Sequence, residues 1–117
     1  MAPFTERKSN NLSLVKPAGN VVASLVPELR AALRGALANG VREMTIDFAE
    51  VEMVDSSGLG LLISAHNSSS KAGGKLAVIH ASKEIMDLFR SMRVHQHFSV
   101  SQSEERVEEA ALKGTAQ

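Results

Sequence analysis

Two apolar stretches with a helical segment between them constrain this chain most. Met44, Ile46 and Phe48 alternate with Thr45 and Asp47, a period of two that marks a strand. Lys75 to His80 carries the unbroken run Leu76-Ala77-Val78-Ile79, the pattern of a strand covered on both faces. Between them, Leu59, Leu62, Ile63 and His66 share one face of a helix from about Ser57 to Lys71, closed by Gly73-Gly74. Strand, helix, strand is a crossover unit, so the two strands are expected to lie side by side and parallel.

The flanking sequence extends this unit. Phe4 to Lys8 and Leu12 to Lys16 surround Ser9-Asn10-Asn11, residues that suit a tight turn, and read as a hairpin. Val26, Leu29, Leu33, Ala36 and Leu37 recur at helical spacing, with Ser24 as the expected cap and Asn39-Gly40 as the stop. Ile85, Leu88, Phe89 and Met92 repeat that spacing behind Ser82, a good amino-terminal cap. His97 to Val100 fits a short strand. Ser101 with Glu104 has capping-box spacing, and Val107, Ala110 and Ala111 continue it as a terminal helix. The expected fold is therefore α/β: one domain over residues 1–117 with a core from about 12 to 113. Its sheet is mixed and mostly parallel, opened by a hairpin and flanked by about four helices.

Composition narrows the function. Lys plus Arg equals Asp plus Glu at 13 each, and no basic run supplies a local field, so direct nucleic-acid binding is disfavoured. The absence of cysteine removes disulfides, thiolate catalysis and cysteine-bound zinc. No apolar run approaches the roughly 20 residues of a membrane span, and the amino terminus lacks the apolar stretch of a secretory signal, so a cytoplasmic location is expected.

One segment carries chemistry. Val54-Asp55-Ser56-Ser57-Gly58-Leu59-Gly60-Leu61-Leu62 lies where a loop turns into a helix, and its serines fall at an end rich in backbone donors that favours negative charge. Gly58 and Gly60 carry no side chain to block an approaching partner. The same residues read also as a plain helix cap with glycines for tight packing, or as a cradle for a nucleotide or anion. Spacing alone leaves these readings open.

Asp55-Ser56-Ser57-Gly58-Leu59-Gly60-Leu61-Leu62 resembles the signature of the STAS domain in bacterial anti-sigma factor antagonists. The likeness continues through Met44 to Phe48, Ala72 to Leu76 and Ile85 to Phe89, and covers roughly Leu12 to Val100. In that family the serine directly before the glycine is phosphorylated, which implies Ser57 here. The resemblance implies a protein-binding switch and no enzyme or cofactor. Unphosphorylated, such a protein sequesters an anti-sigma factor serine kinase and so frees a sigma factor. The kinase phosphorylates it using ATP, and a PP2C-type phosphatase restores the serine. Asp55, Ser56, Ser57, Gly58, Leu59 and Gly60 would form the partner contact, with Asp55 and Ser56 shaping the loop that presents Ser57. A homodimer is compatible with this reading, as is a STAS subunit of another regulatory or transport complex. The family often has Gly-acid-apolar-Asp before the first helix, a region that contributes to partner contact. Here it reads Gly19-Asn20-Val21-Val22, without either acid.

Other polar residues have ordinary explanations. Asn67-Ser68-Ser69-Ser70 reads as a solvated helix face fraying toward Gly73. His95 and His97 have two-ligand spacing with nothing nearby to complete a metal site. His66 and His80 read as histidines satisfied at the edge of the core. Asp47, Glu50 and Glu52 lack an accompanying nucleophile or base and are expected to be solvated.

Overall fold

The computed structural model describes residues 3–9, 11–94 and 97–102. Among them are five strands and three helices: β1 (Phe4–Ser9), β2 (Leu12–Pro17), α1 (Val26–Ala38), β3 (Glu43–Asp47), α2 (Ser56–Lys71), β4 (Lys75–Ile79), α3 (Lys83–Ser91) and β5 (Ser99–Val100). The terminal helix expected beyond Ser101 lies outside the described residues.

The sheet runs in chain order, β1-β2-β3-β4-β5. β1 and β2 form the expected antiparallel hairpin, and every later pairing is parallel. The crossover unit is as the sequence requires: Ile46 sits opposite Val78 in the parallel β3–β4 pair, with α2 between the two strands in the chain. A sheet that grows in one direction through right-handed crossovers carries its helices on one face. Burial agrees. Val15, Ile46 and Val78 point to that face and join Leu29, Leu33, Leu62, Ile85 and Phe89 in one core cluster. Phe89 anchors its far end, packing edge-on against Phe48 and Phe98. The alternate residues Thr45, Asp47, Ala77 and Ile79 are buried on the opposite side of the pleat.

Three local expectations change. Ser24 does not cap α1: the N-cap is Leu25, without a side-chain hydrogen bond. A preceding turn has already used the donors, since the Leu25 and Val26 N–H groups both donate to the Val22 carbonyl. Ser69 belongs to no solvated face, being fully buried with its hydroxyl donating to the Ala65 carbonyl one turn back at 2.9 Å. Asp47 is buried too; its Oδ1 accepts from Ala49 N–H at 2.9 Å and lies 2.7 Å from Nδ1 of His80. That contact holds His80 in a left-handed conformation with φ 58°.

Candidate functional site

The amino terminus of α2 is built from two loops more than thirty residues apart in sequence. The Asn20 side-chain oxygen accepts from the backbone N–H groups of Glu52, at 2.9 Å, and Met53, at 3.0 Å. Val21 and Val54 then form an isolated parallel bridge, with Val21 N–H donating to the Met53 carbonyl and Asp55 N–H to the Val21 carbonyl. Asp55 completes the seam. Its Oδ1 caps α2 by accepting from Gly58 N–H at 2.8 Å, and its Oδ2 accepts from Ala23 N–H at 3.0 Å. One carboxylate thus starts the helix and ties it to the loop that precedes α1.

These bonds set the electrostatics. The Gly58 N–H holds the Asp55 carboxyl below its ordinary value of 3.8; burial opposes this, and the N–H groups of Ala23, Ser57 and Asp55 itself reinforce it. The helix end is therefore already occupied by a negative charge, and the donors that the sequence offered to an incoming anion are partly used.

Ser56 and Ser57 are the first two residues of α2, and both are exposed. Asp55 shapes the turn that displays them. Met53, 53% exposed, stands out on the same loop as one of the few large apolar side chains at the surface. Gly58 and Leu59 face inward and are buried, whereas Gly60 is exposed. The two glycines therefore differ. A Cβ on Gly58 would collide with the Val21 carbonyl oxygen and lie 2.9 Å from Val21 Cγ1, while one on Gly60 would meet nothing. Gly58 is fixed by close packing beneath the seam and is not kept bare for a visitor, so the surface here comes from Ser56, Ser57, Gly60 and the flanking loop.

Sequence reasoning missed the part played by Asn20. Its neutral amide oxygen holds two backbone donors of the opposite loop, a bond that needs an acceptor and no charge. Its signal was the motif position before the first helix. Among the described residues no group of three or more His, Asp or Glu is placed to hold a metal ion, and His95 lies outside them. Nor is any described helix long and apolar enough to cross a membrane.

A mostly parallel sheet opened by a hairpin and interleaved with helices is the arrangement of a STAS domain. The family model described as "Mlab, STAS domain" matches residues 4–102, and the chain belongs to the STAS-domain family. No curated protein sequence matches it. Among solved structures it is similar to an anti-sigma-factor antagonist (STAS) domain protein from Planctomyces limnophilus, with TM-score 0.78, 16% identity, and coverage of 99% of this chain and 100% of that one. The anti-sigma factor antagonist SpoIIAA of Bacillus is similar in its unphosphorylated form, with TM-score 0.70, 18% identity, and coverage of 97% of both chains. Its phosphorylated form gives the same score and identity, over 95% of this chain and 98% of that one. The murine anion transporter Slc26a9 also contains this fold, with TM-score 0.70 and 14% identity over 95% of this chain and 19% of the transporter.

Proposed function

We propose that this STAS domain is an anti-sigma factor antagonist whose binding to an anti-sigma factor serine kinase is switched by phosphorylation of Ser57. The observation that carries this reading is the display of Ser57 as the second residue of α2, exposed above a seam held from both sides by Asp55. A kinase needs an accessible hydroxyl, and a switch needs that hydroxyl on a surface whose shape does not depend on it; here the hydrogen bonds of the seam run through Asn20, Val21 and Asp55. The two forms of SpoIIAA, both matched by this fold, support the same reading.

A phosphate on Ser57 adds roughly 1.5 to 2 negative charges and three acceptor oxygens. It arrives beside a helix end whose Gly58 N–H is already bonded to a carboxylate, so the change falls on whatever faces the serine. A pocket fitted to a neutral hydroxyl then meets bulk and like charge. Unphosphorylated protein binds the kinase and releases a sigma factor; a PP2C-type phosphatase resets the serine, all in the cytoplasm. The domain acts by binding and not by catalysis. The occupied cap at Asp55 also stands against an anion or nucleotide held at this helix end.

A second reading has an observation of its own. The matching family model carries the Mlab description, and the same fold forms part of a transporter, so the domain could serve as a STAS subunit of another regulatory or transport complex. Capture from the native lysate with wild-type, Ser57→Ala and Ser57→Asp baits, read by mass spectrometry, separates the two. The switch predicts a serine kinase bound by wild type and Ser57→Ala and lost from Ser57→Asp. Transport components retained equally by all three baits would establish the second reading.

A further inference from the structure

A shallow groove separates α1 from α2. Each helix joins two parallel strands by a crossover on the same face of the sheet, so the two helices run in the same direction. Arg30, Leu33 and Arg34 line one wall of the groove, and Leu61, Ser64 and Ala65 line the other. Both sets have the spacing i, i+3, i+4, which sets Arg30 level with Leu61 and Arg34 level with Ala65. The bond from Ala23 N–H to the Asp55 carboxylate, ahead of both helices, gives the same alignment.

Ser57 continues one wall of this groove. It lies one turn before Leu61 and two turns before Ser64, so it stands on the flank of α2 that faces α1. Ser56 is rotated about 100° from it, away from the groove. A long helical side chain covers the turn that precedes its own Cα, and for Arg30 that turn is level with Ser57, roughly 6 Å along the axis from Leu61.

Charge points the same way. Arg30 and Arg34 are like charges one turn apart, an arrangement that weakens a helix, and neither forms a salt bridge among the described residues. The one acid of α1, Glu28, lies nearly opposite Arg30 around the helix. Beside Ser57, the Gly58 N–H that a phosphate in the first turn would ordinarily take is bonded to Asp55 Oδ1. That carboxylate repels a second anion. A phosphate on Ser57 is therefore left to find a cation, and Arg30 stands on the flank it faces.

We propose that Arg30 receives the phosphate of phosphorylated Ser57, its guanidinium donating to the phosphate oxygens across the α1–α2 groove. Arginine suits this task because its planar fork meets phosphate oxygens two at a time. The phosphorylated form then differs from the unmodified one by a bridge between two helices as well as by added charge, and that charge is fixed over the groove, away from Ser56. The inference rests on Ser57 being the modified residue, the reading given above.

For the test, the full chain is made with Ser57 already phosphorylated, by incorporating phosphoserine during translation, so that no kinase is needed. Phosphorus NMR then follows the second ionisation of the phosphate, ordinarily near about pH 6, in wild type, Arg30→Gln, Arg30→Lys and Arg34→Gln. Arg30 should hold that ionisation at lower pH, so Arg30→Gln, a change at a half-buried position, should reduce the acid constant about two- to fivefold, the size of an exposed ion pair. Arg30→Lys should recover part of the loss. Arg34→Gln, one turn further from Ser57, should change the constant by less, and salt at about 0.5 M should remove most of the difference. Identical titrations of wild type and Arg30→Gln, or an equal change in Arg34→Gln, would overturn the proposal whether or not a kinase acts on Ser57. Phosphate placed by the kinase on another residue would instead remove the reading beneath it.

Discussion

The two ends of α2 are built on opposite principles. At the amino end, side chains tie down backbone donors of both loops: Asn20 holds Glu52 and Met53, Asp55 holds Ala23 and Gly58, and a bare Cα at Gly58 lets the Val21 strand lie directly against the helix. The exposed serines ride on a base closed by these bonds and by the close approach of Gly58 to Val21. At the carboxyl end β5 is short, and a cleft remains beside His66, His97 and Phe98. A helix that shares one apolar face along its length can thus present a fixed surface at one end and spare space at the other. The difference lies in the polar seams that close each end and not in the core.

That contrast can be tested from its shared middle outward. Leu62 is fully buried at the centre of α2, so Leu62→Ala should destabilise both ends together by about 2 to 5 kcal/mol in denaturant unfolding. A loss within the surface range of about 0.5 kcal/mol would mean that α2 does not hold the two ends in one cooperative unit. The glycines sharpen the amino end. Gly58→Ala should cost about 1 to 3 kcal/mol by pushing helix and Val21 apart, a typical overpacking loss. Two residues on, Gly60→Ala meets open space in a helix and should be neutral or stabilising by up to about 1 kcal/mol. If both substitutions behaved alike, the close approach at Gly58 would be wrong.

Asp55→Ala removes a cap that serves two loops and should lower stability by less than either core change, with amide exchange rising at both Gly58 and Ala23. Faster exchange at Gly58 alone would show that the seam to the first loop carries no energy. The smallest effect is in pH. Because the folded carboxyl of Asp55 titrates below its ordinary value of 3.8, its contribution is fully present above that value and is lost as pH falls through the lower folded value. The Asp55→Asn variant should therefore show a flatter stability profile below about pH 4 than wild type, with the two profiles parallel above it. Parallel profiles throughout would remove Asp55 from the acid response.

Much of the fold was legible because periodicity is local. The alternation from Met44 to Phe48, the run Leu76 to Ile79 and the helical spacing of Leu59, Leu62 and Ile63 each sit within one element, and the parallel pairing of β3 with β4 follows from them. What the sequence hid joins distant residues. Asn20 lies 32 positions from Glu52, and Asp47 lies 33 from His80; neither pairing leaves a period to read. Ser69 was hidden differently, because a serine that bonds its own helix one turn back needs no partner and can enter the core among polar neighbours. Ser57 stood out through its motif, but the reason for Gly58 needed the third dimension, where Val21 lies directly behind it.

The central claim, that Ser57 is the switch, is tested most directly with the purified kinase partner and ATP, by mapping the phosphosite and measuring kinase affinity before and after modification. The account predicts phosphate on Ser57, unchanged secondary structure, and a fall in affinity of roughly 5- to 150-fold, the range of a coupling of about 1 to 3 kcal/mol. Ser56→Ala should remain a substrate, and Ser57→Ala should bind without responding to ATP. Phosphate found only elsewhere, or equal affinity of the Ser57-phosphorylated and unmodified forms, would contradict the account.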